Sequence, residues 1–119
     1  MKNKYKKVYS LAHQAGYRNY TVKDLINLKG KKKLTQINVV SPEEAAAAEA
    51  AGIDMIICGV DKLKEIREAA PNTFLTCGIK YTEHASKESM MKKVFELIEI
   101  GVDSICLLYT SDAADDPTC

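Results

Sequence analysis

Apolar positions along this chain fall into short β-branched blocks that alternate with stretches of helical spacing. The clearest run is LTQINVVSPEEAAAAEAAGIDMIICGVD, from Leu34 to Asp61. Residues 34–40 have the length and β-branched content of a strand. Ser41 then offers a hydroxyl N-cap, Pro42 sits where a helix needs no N–H, and Glu44 completes S-x-x-E. The alanines at 45–48 and 50–51 favour helix and add no bulk, so this helix can lie close to a sheet. Gly52 is a left-handed stop, and Ile53 with residues 55–58 reads as a strand buried on both faces. Strand, helix and strand joined by a short return make a parallel crossover.

The same reading extends both ways. Strands are predicted over 34–40, 54–58, 73–78 and 103–107, all parallel, with helices over 42–51, 62–70 and 87–100. Asp61 is placed to cap the second of these helices. Met90, Met91, Val94, Leu97 and Ile98 give the third a broad apolar face, and Gly101 ends it. Ahead of the first strand, Thr21 and Asp24 form a capping box for a short helix through Leu28. Val8, Leu11, Ala12 and Ala15 also fall near helical spacing, so residues 1–33 read as a basic, helical lead-in.

Two joints repeat: Gly52-Ile53-Asp54 and Gly101-Val102-Asp103, each at the end of a helix and the start of a strand. Alternating strands and helices suit either a doubly wound sheet or a (β/α)8 barrel. No glycine-rich dinucleotide fingerprint follows the first strand, which favours the barrel. The expected fold is α/β, the amino-terminal half of a (β/α)8 TIM barrel with parallel strands, over residues 34–107. Residues 108–119 turn acidic and small, and they read as a non-native or disordered tail resembling translated adapter sequence.

Charge changes the picture only at the amino terminus. Residues 1–33 hold ten Lys or Arg against one acid, whereas 34–119 hold seven against fifteen. No nucleic-acid-binding pattern accompanies the bases, so a solvated lead-in is expected and no nucleic-acid partner. No apolar run is long enough for a membrane span, so no membrane partner is expected either. The four cysteines show no C-x-x-C pairing, which argues against disulfide scaffolds and zinc ribbons and suits a cytoplasmic protein with reduced thiols.

A barrel performs its chemistry at the carboxyl ends of its strands. Asn38 and Ser41 follow the first strand and are candidates for substrate binding; Asp61 follows the second and is the candidate metal ligand. Lys80 and His84, with Glu83 beside it, follow the third and are the candidate catalytic pair. Each has a plainer reading: a helix cap for Asp61, a solvated loop lysine for Lys80, a surface histidine for His84. Cys58, Cys77 and Cys106 near successive strand ends read as small buried apolar groups before they read as a thiolate site.

TVKDLINLKGKKKLTQINVVSPEEAAAAEAAGIDMI and ASKESMMKKVFELIEIGVDSI resemble the amino-terminal region of the ketopantoate (3-methyl-2-oxobutanoate) hydroxymethyltransferase family, over about residues 20–106. The resemblance implies a barrel of the phosphoenolpyruvate/pyruvate type, Mg²⁺-assisted enolisation of a small 2-oxo acid, and one-carbon transfer from methylenetetrahydrofolate. It also implies a homo-oligomer for the intact protein. The family's metal-binding Asp in V-G-D-S aligns with Val60, so Asp61 serves only by a shift of one position. The next metal Asp aligns with Cys77. A fragment inactive alone is therefore expected. The alternatives are a non-catalytic barrel module that binds a metabolite or partner, and a lyase of the same superfamily.

Overall fold

The computed structural model describes residues 5–9, 15–80 and 86–108. Its core is a parallel sheet of β3 (Gln36–Asn38), β4 (Met55–Cys58), β5 (Phe74–Lys80) and β6 (Ser104–Leu108), adjacent in chain order. The strands pair in one continuous register: Ile37 opposite Ile56, Cys58 opposite Cys77, Gly78 opposite Cys106. The connections are α2 (Pro42–Ala50), α3 (Leu63–Ala69) and α4 (Lys87–Ile100). Ile56, Cys58, Leu75, Cys77 and Ile79 on one sheet face share a core with Ala45, Ala48, Leu63, Ile66 and Leu97 of these helices. All three crossovers therefore lie on one side. Of the alternate positions on the other face, Phe74 is buried, whereas Met55, Ile57, Thr76 and Ser104 are only half-buried. An α/β sheet wound in one direction is compatible with part of a barrel.

The local signals explain most of these elements. Ser41 Oγ accepts from Glu44 N–H at 3.2 Å, while the Glu44 carboxylate returns to Val40 N–H at 2.8 Å. The reciprocal bond thus falls one residue earlier than in the usual capping box. Gly52 and Gly101 end α2 and α4 at φ of 85° and 111°. A Cβ at Gly52 would meet open space, so Gly52→Val should cost about 1 kcal/mol from backbone strain alone, read as a shift in denaturant midpoint. At Gly101 a Cβ would also come within 3.3 Å of Arg67, so the same replacement should cost more there. Equal losses would place the penalty entirely in the backbone.

Three expectations are corrected. Among the described residues of the lead-in, helix is confined to α1 (Val22–Leu28), opened by the Thr21–Asp24 box; β1 (Lys6–Tyr9) and β2 (Ala15–Arg18) form an antiparallel pair. Asp61 caps nothing: α3 starts from Lys62, which sits at φ 59° with no side-chain cap. β5 runs to Lys80, two residues past the expected end, so Lys80 closes a strand rather than lying in a loop. No helix among the described residues is long and apolar enough to cross a membrane.

The amino-terminal hairpin has a long-range cause. Arg18 and Arg67 converge on Asp103, with side chains 10%, 8% and 13% exposed. Arg18 Nε donates to both Asp103 oxygens at 3.0 Å, and its Nη groups donate to the carbonyls of Tyr17, Pro71 and Gly101. Arg67 donates to Asp103 and to the carbonyls of Gly101, Ala70 and Thr73. Burial, then Arg18, pulls the Arg67 pKa down to about 10, which leaves it charged at neutral pH. Asp103 also accepts Leu75 N–H, and at the first joint Asp54 accepts Thr35 N–H at 2.9 Å. The repeated Gly-aliphatic-Asp joint is thus a device for capping the start of the neighbouring strand. Arg18, Asn19 and Tyr20 lock the hairpin onto both joints, Tyr20 by a hydroxyl donated to Asp54 at 3.2 Å.

Candidate functional site

The carboxyl ends of β3, β4 and β5 open into a cleft of about 930 Å³. This is the opposite end of the sheet from the Arg18–Arg67–Asp103 cluster, and its volume suits a small-molecule ligand. Its floor is aliphatic (Val39, Ile57, Val60, Ile79), and Gly59 and Gly78 leave backbone accessible there. Asn38 enters from the end of β3, Lys80 from the end of β5, Asp61 and Lys62 from the loop after β4, and Lys93 from α4. Three ammonium groups against one carboxylate make the lining cationic. Lys93 is tied loosely to Glu96 at 3.6 Å and stays partly exposed.

The sequence candidates separate into three groups. Asn38, Asp61 and Lys80 are brought together at this cleft. Ser41 is not part of its lining, because its hydroxyl is engaged at the start of α2. Glu83 and His84 lie outside the described residues. Lys62 and Lys93 were missed, although Lys93 had a readable signal: it neighbours Val94 and lies one turn from Met90, at the border of the apolar face of α4.

Cys58 and Cys77 face each other in register as free, buried thiols among the helix-side core. The hydrogen bond from Cys77, then the charge of Arg67, hold the Cys58 thiol below its ordinary value against the effect of burial. The same hydrogen bond and burial push Cys77 well up. Cys106 pairs with Gly78 on the adjacent position of β5, so the three cysteines do not converge. Among the described residues no group of three His, Cys, Asp or Glu could hold a metal ion.

That donor set decides the fit to Mg²⁺. A hard dication requires several oxygen ligands, usually carboxylates and waters in octahedral array. Among the described residues the cleft lining supplies one carboxylate, Asp61, beside three ammonium groups that repel a cation. Cys77, at the aligned carboxylate position, is a fully buried soft donor. The described residues of the cleft do not fit Mg²⁺.

Two curated proteins are similar to this chain, and both are named 3-methyl-2-oxobutanoate hydroxymethyltransferase. That of Kosmotoga olearia is 27% identical over 108 residues, covering 72% of this chain and 40% of that protein. That of Thermosipho melanesiensis is 24% identical over 107 residues, covering 71% and 40%. The relationship is distant. This chain spans about two fifths of the length of these relatives. No protein-family model matches the chain, and no solved structure matches it.

Proposed function

We propose that this chain is a divergent amino-terminal half of a (β/α)8 barrel related to 3-methyl-2-oxobutanoate hydroxymethyltransferase, and that its carboxyl-edge cleft binds a small 2-oxo acid without turning it over. The observation that carries this reading is the convergence of Lys62, Lys80 and Lys93 with Asn38 on an aliphatic floor. A carboxylate needs cationic and N–H donors; a short branched carbon chain needs an apolar surface beside them. Lys80, at the end of the central strand β5, is the residue assigned to the ligand carboxylate. Asn38 offers an amide donor to the 2-oxo oxygen. The reading of the chain as a binding module, rather than an enzyme, rests on the single carboxylate among the described residues of the cleft.

Calorimetric titration with 3-methyl-2-oxobutanoate tests this. The chain should bind the acid, and Lys80→Ala should weaken binding about tenfold, the loss of one charge-assisted hydrogen bond. Added Mg²⁺ should leave the affinity unchanged. Equal affinities in the chain and the variant would remove Lys80 from the site; Mg²⁺-dependent binding would restore the metal that the donor set disfavours.

A further inference from the structure

Cys58 ends β4 and Cys77 lies in the middle of β5, directly opposite in the parallel register. Partners in register point to the same face, and neighbouring strands run about 4.8 Å apart. That separation falls within the Cα distances, about 4.4–6.8 Å, that a disulfide spans. Both thiols are free and buried on the helix side of the sheet, among Ile56, Leu63, Leu75 and Ile79. Each of the two strands is hydrogen-bonded on both sides, so this juxtaposition does not depend on what adjoins β3 or β6. The two sulfurs differ in access. Cys58 is among the residues lining the carboxyl-edge cleft, and Cys77 is not. A buried cysteine is ordinarily inert. Here the residue that borders the cleft is also the one held toward thiolate, first by the Cys77 hydrogen bond and then by the charge of Arg67. No third His, Cys, Asp or Glu joins the pair among the described residues, which favours a covalent reaction over a structural zinc site.

We infer that Cys58 and Cys77 are a modification site for hydrogen peroxide, Cys58 taking the oxidant from the cleft and Cys77 closing a reversible disulfide between β4 and β5. The Cys58 thiolate attacks one peroxide oxygen. The O–O bond breaks, and the leaving hydroxide takes up the proton that Cys58 lost and becomes water. Cys58 is then a sulfenic acid. The Cys77 sulfur attacks the Cys58 sulfur, the S–O bond breaks, and a second water leaves with the Cys77 proton. One peroxide is thereby reduced to two waters, and two thiols give up two electrons as the S–S bond forms. The bond closes a loop that holds all of α3 and ties two strands whose ends border the cleft. Attack by an added thiol on the disulfide restores both cysteines. The cleft serves here only as the route of entry, so the inference does not depend on which ligand the cleft binds.

Tryptic mapping of the full chain, reduced first and then treated with hydrogen peroxide, tests it. Trypsin separates the two cysteines, because Lys62, Lys64 and Arg67 lie between them. Cys106 and Cys119 fall together in another peptide beyond Lys93, so their reactions are read apart. The treated chain should yield the Cys58 and Cys77 peptides joined, and a thiol reductant should release them. Cys77→Ala should leave Cys58 as a sulfenic acid that dimedone captures, with unchanged far-UV circular dichroism. Cys58→Ala should slow the loss of the Cys77 thiol about tenfold, since the thiolate is the nucleophile. Joined peptides from the unaltered chain carry the claim whether or not either alanine variant folds. Recovery of Cys58 and Cys77 as free thiols after peroxide would overturn the inference. So would joined peptides that form only in denaturant, because the fold would then not supply the pairing. Dimedone capture at Cys77 in preference to Cys58 would overturn the assignment of roles.

Discussion

Replacing Asp103 with Ala is expected to cost the fold about 3–5 kcal/mol, a large fraction of what holds a domain of this size together. Asp103 is the carboxylate shared by Arg18 and Arg67, and all three side chains are largely withdrawn from water. Without it two guanidinium groups face each other with only carbonyl oxygens as acceptors. Arg67 Nε already has no hydrogen-bond partner, so the cluster has no spare acceptor to redistribute. The loss also removes the cap on Leu75 N–H and the anchor that draws the hairpin onto the sheet. Guanidinium denaturation followed by circular dichroism reads this directly, with Asp61→Ala as a control expected to change little because that side chain is exposed. A loss below about 1 kcal/mol for Asp103→Ala would mean that water, not the carboxylate, solvates the two arginines.

Hydroxymethyl transfer from methylenetetrahydrofolate to 3-methyl-2-oxobutanoate should be absent from this chain, even with Mg²⁺ supplied. A metal-assisted enolisation stabilises the developing enolate through an ion held by several oxygen ligands, and such stabilisation accounts for several kcal/mol of barrier. Val60 is aliphatic, Cys77 is buried in the core, and among the described residues Asp61 alone presents a carboxylate in a lysine-lined cleft. One carboxylate with waters holds Mg²⁺ weakly. The assay follows product formation by the chain and by Asp61→Ala. Turnover that vanishes in the variant would show that Asp61 holds a working metal site and would overturn both the alignment and the binding-module reading.

The parts of this fold that were legible in sequence are those governed by neighbouring residues. Ser41 accepts the N–H three residues on, Gly52 and Gly101 stop their helices at positive φ, and β-branched runs become the parallel strands. The parts that were not legible depend on residues far away. Arg18 is fixed by Asp103, 85 positions along the chain, and it ends the strand β2 that pairs with β1 where Val8 and Ala15 had suggested helical spacing. Asp61 looked like a cap because Asp is a preferred cap residue, but the left-handed turn at Lys62 moves the helix start past it. In the cleft, Asn38, Asp61 and Lys80 were legible because strand ends converge in a parallel sheet. Lys93 arrives from a helix flank, and its approach to β5 is set by packing that no local pattern encodes.

Chemical-shift mapping by amide NMR tests the central claim, a carboxylate-selective site at the carboxyl edge, most directly. On addition of 3-methyl-2-oxobutanoate the perturbed amides should cluster at Asn38, Gly59, Asp61, Gly78 and Lys80, with Arg18 and Leu75 at the far end of the sheet unmoved. The corresponding ketone lacking the carboxylate, 3-methyl-2-butanone, should leave the same amides in place. Shifts at the amino-terminal edge, or equal shifts with acid and ketone, would contradict a lysine-lined acid site in this cleft.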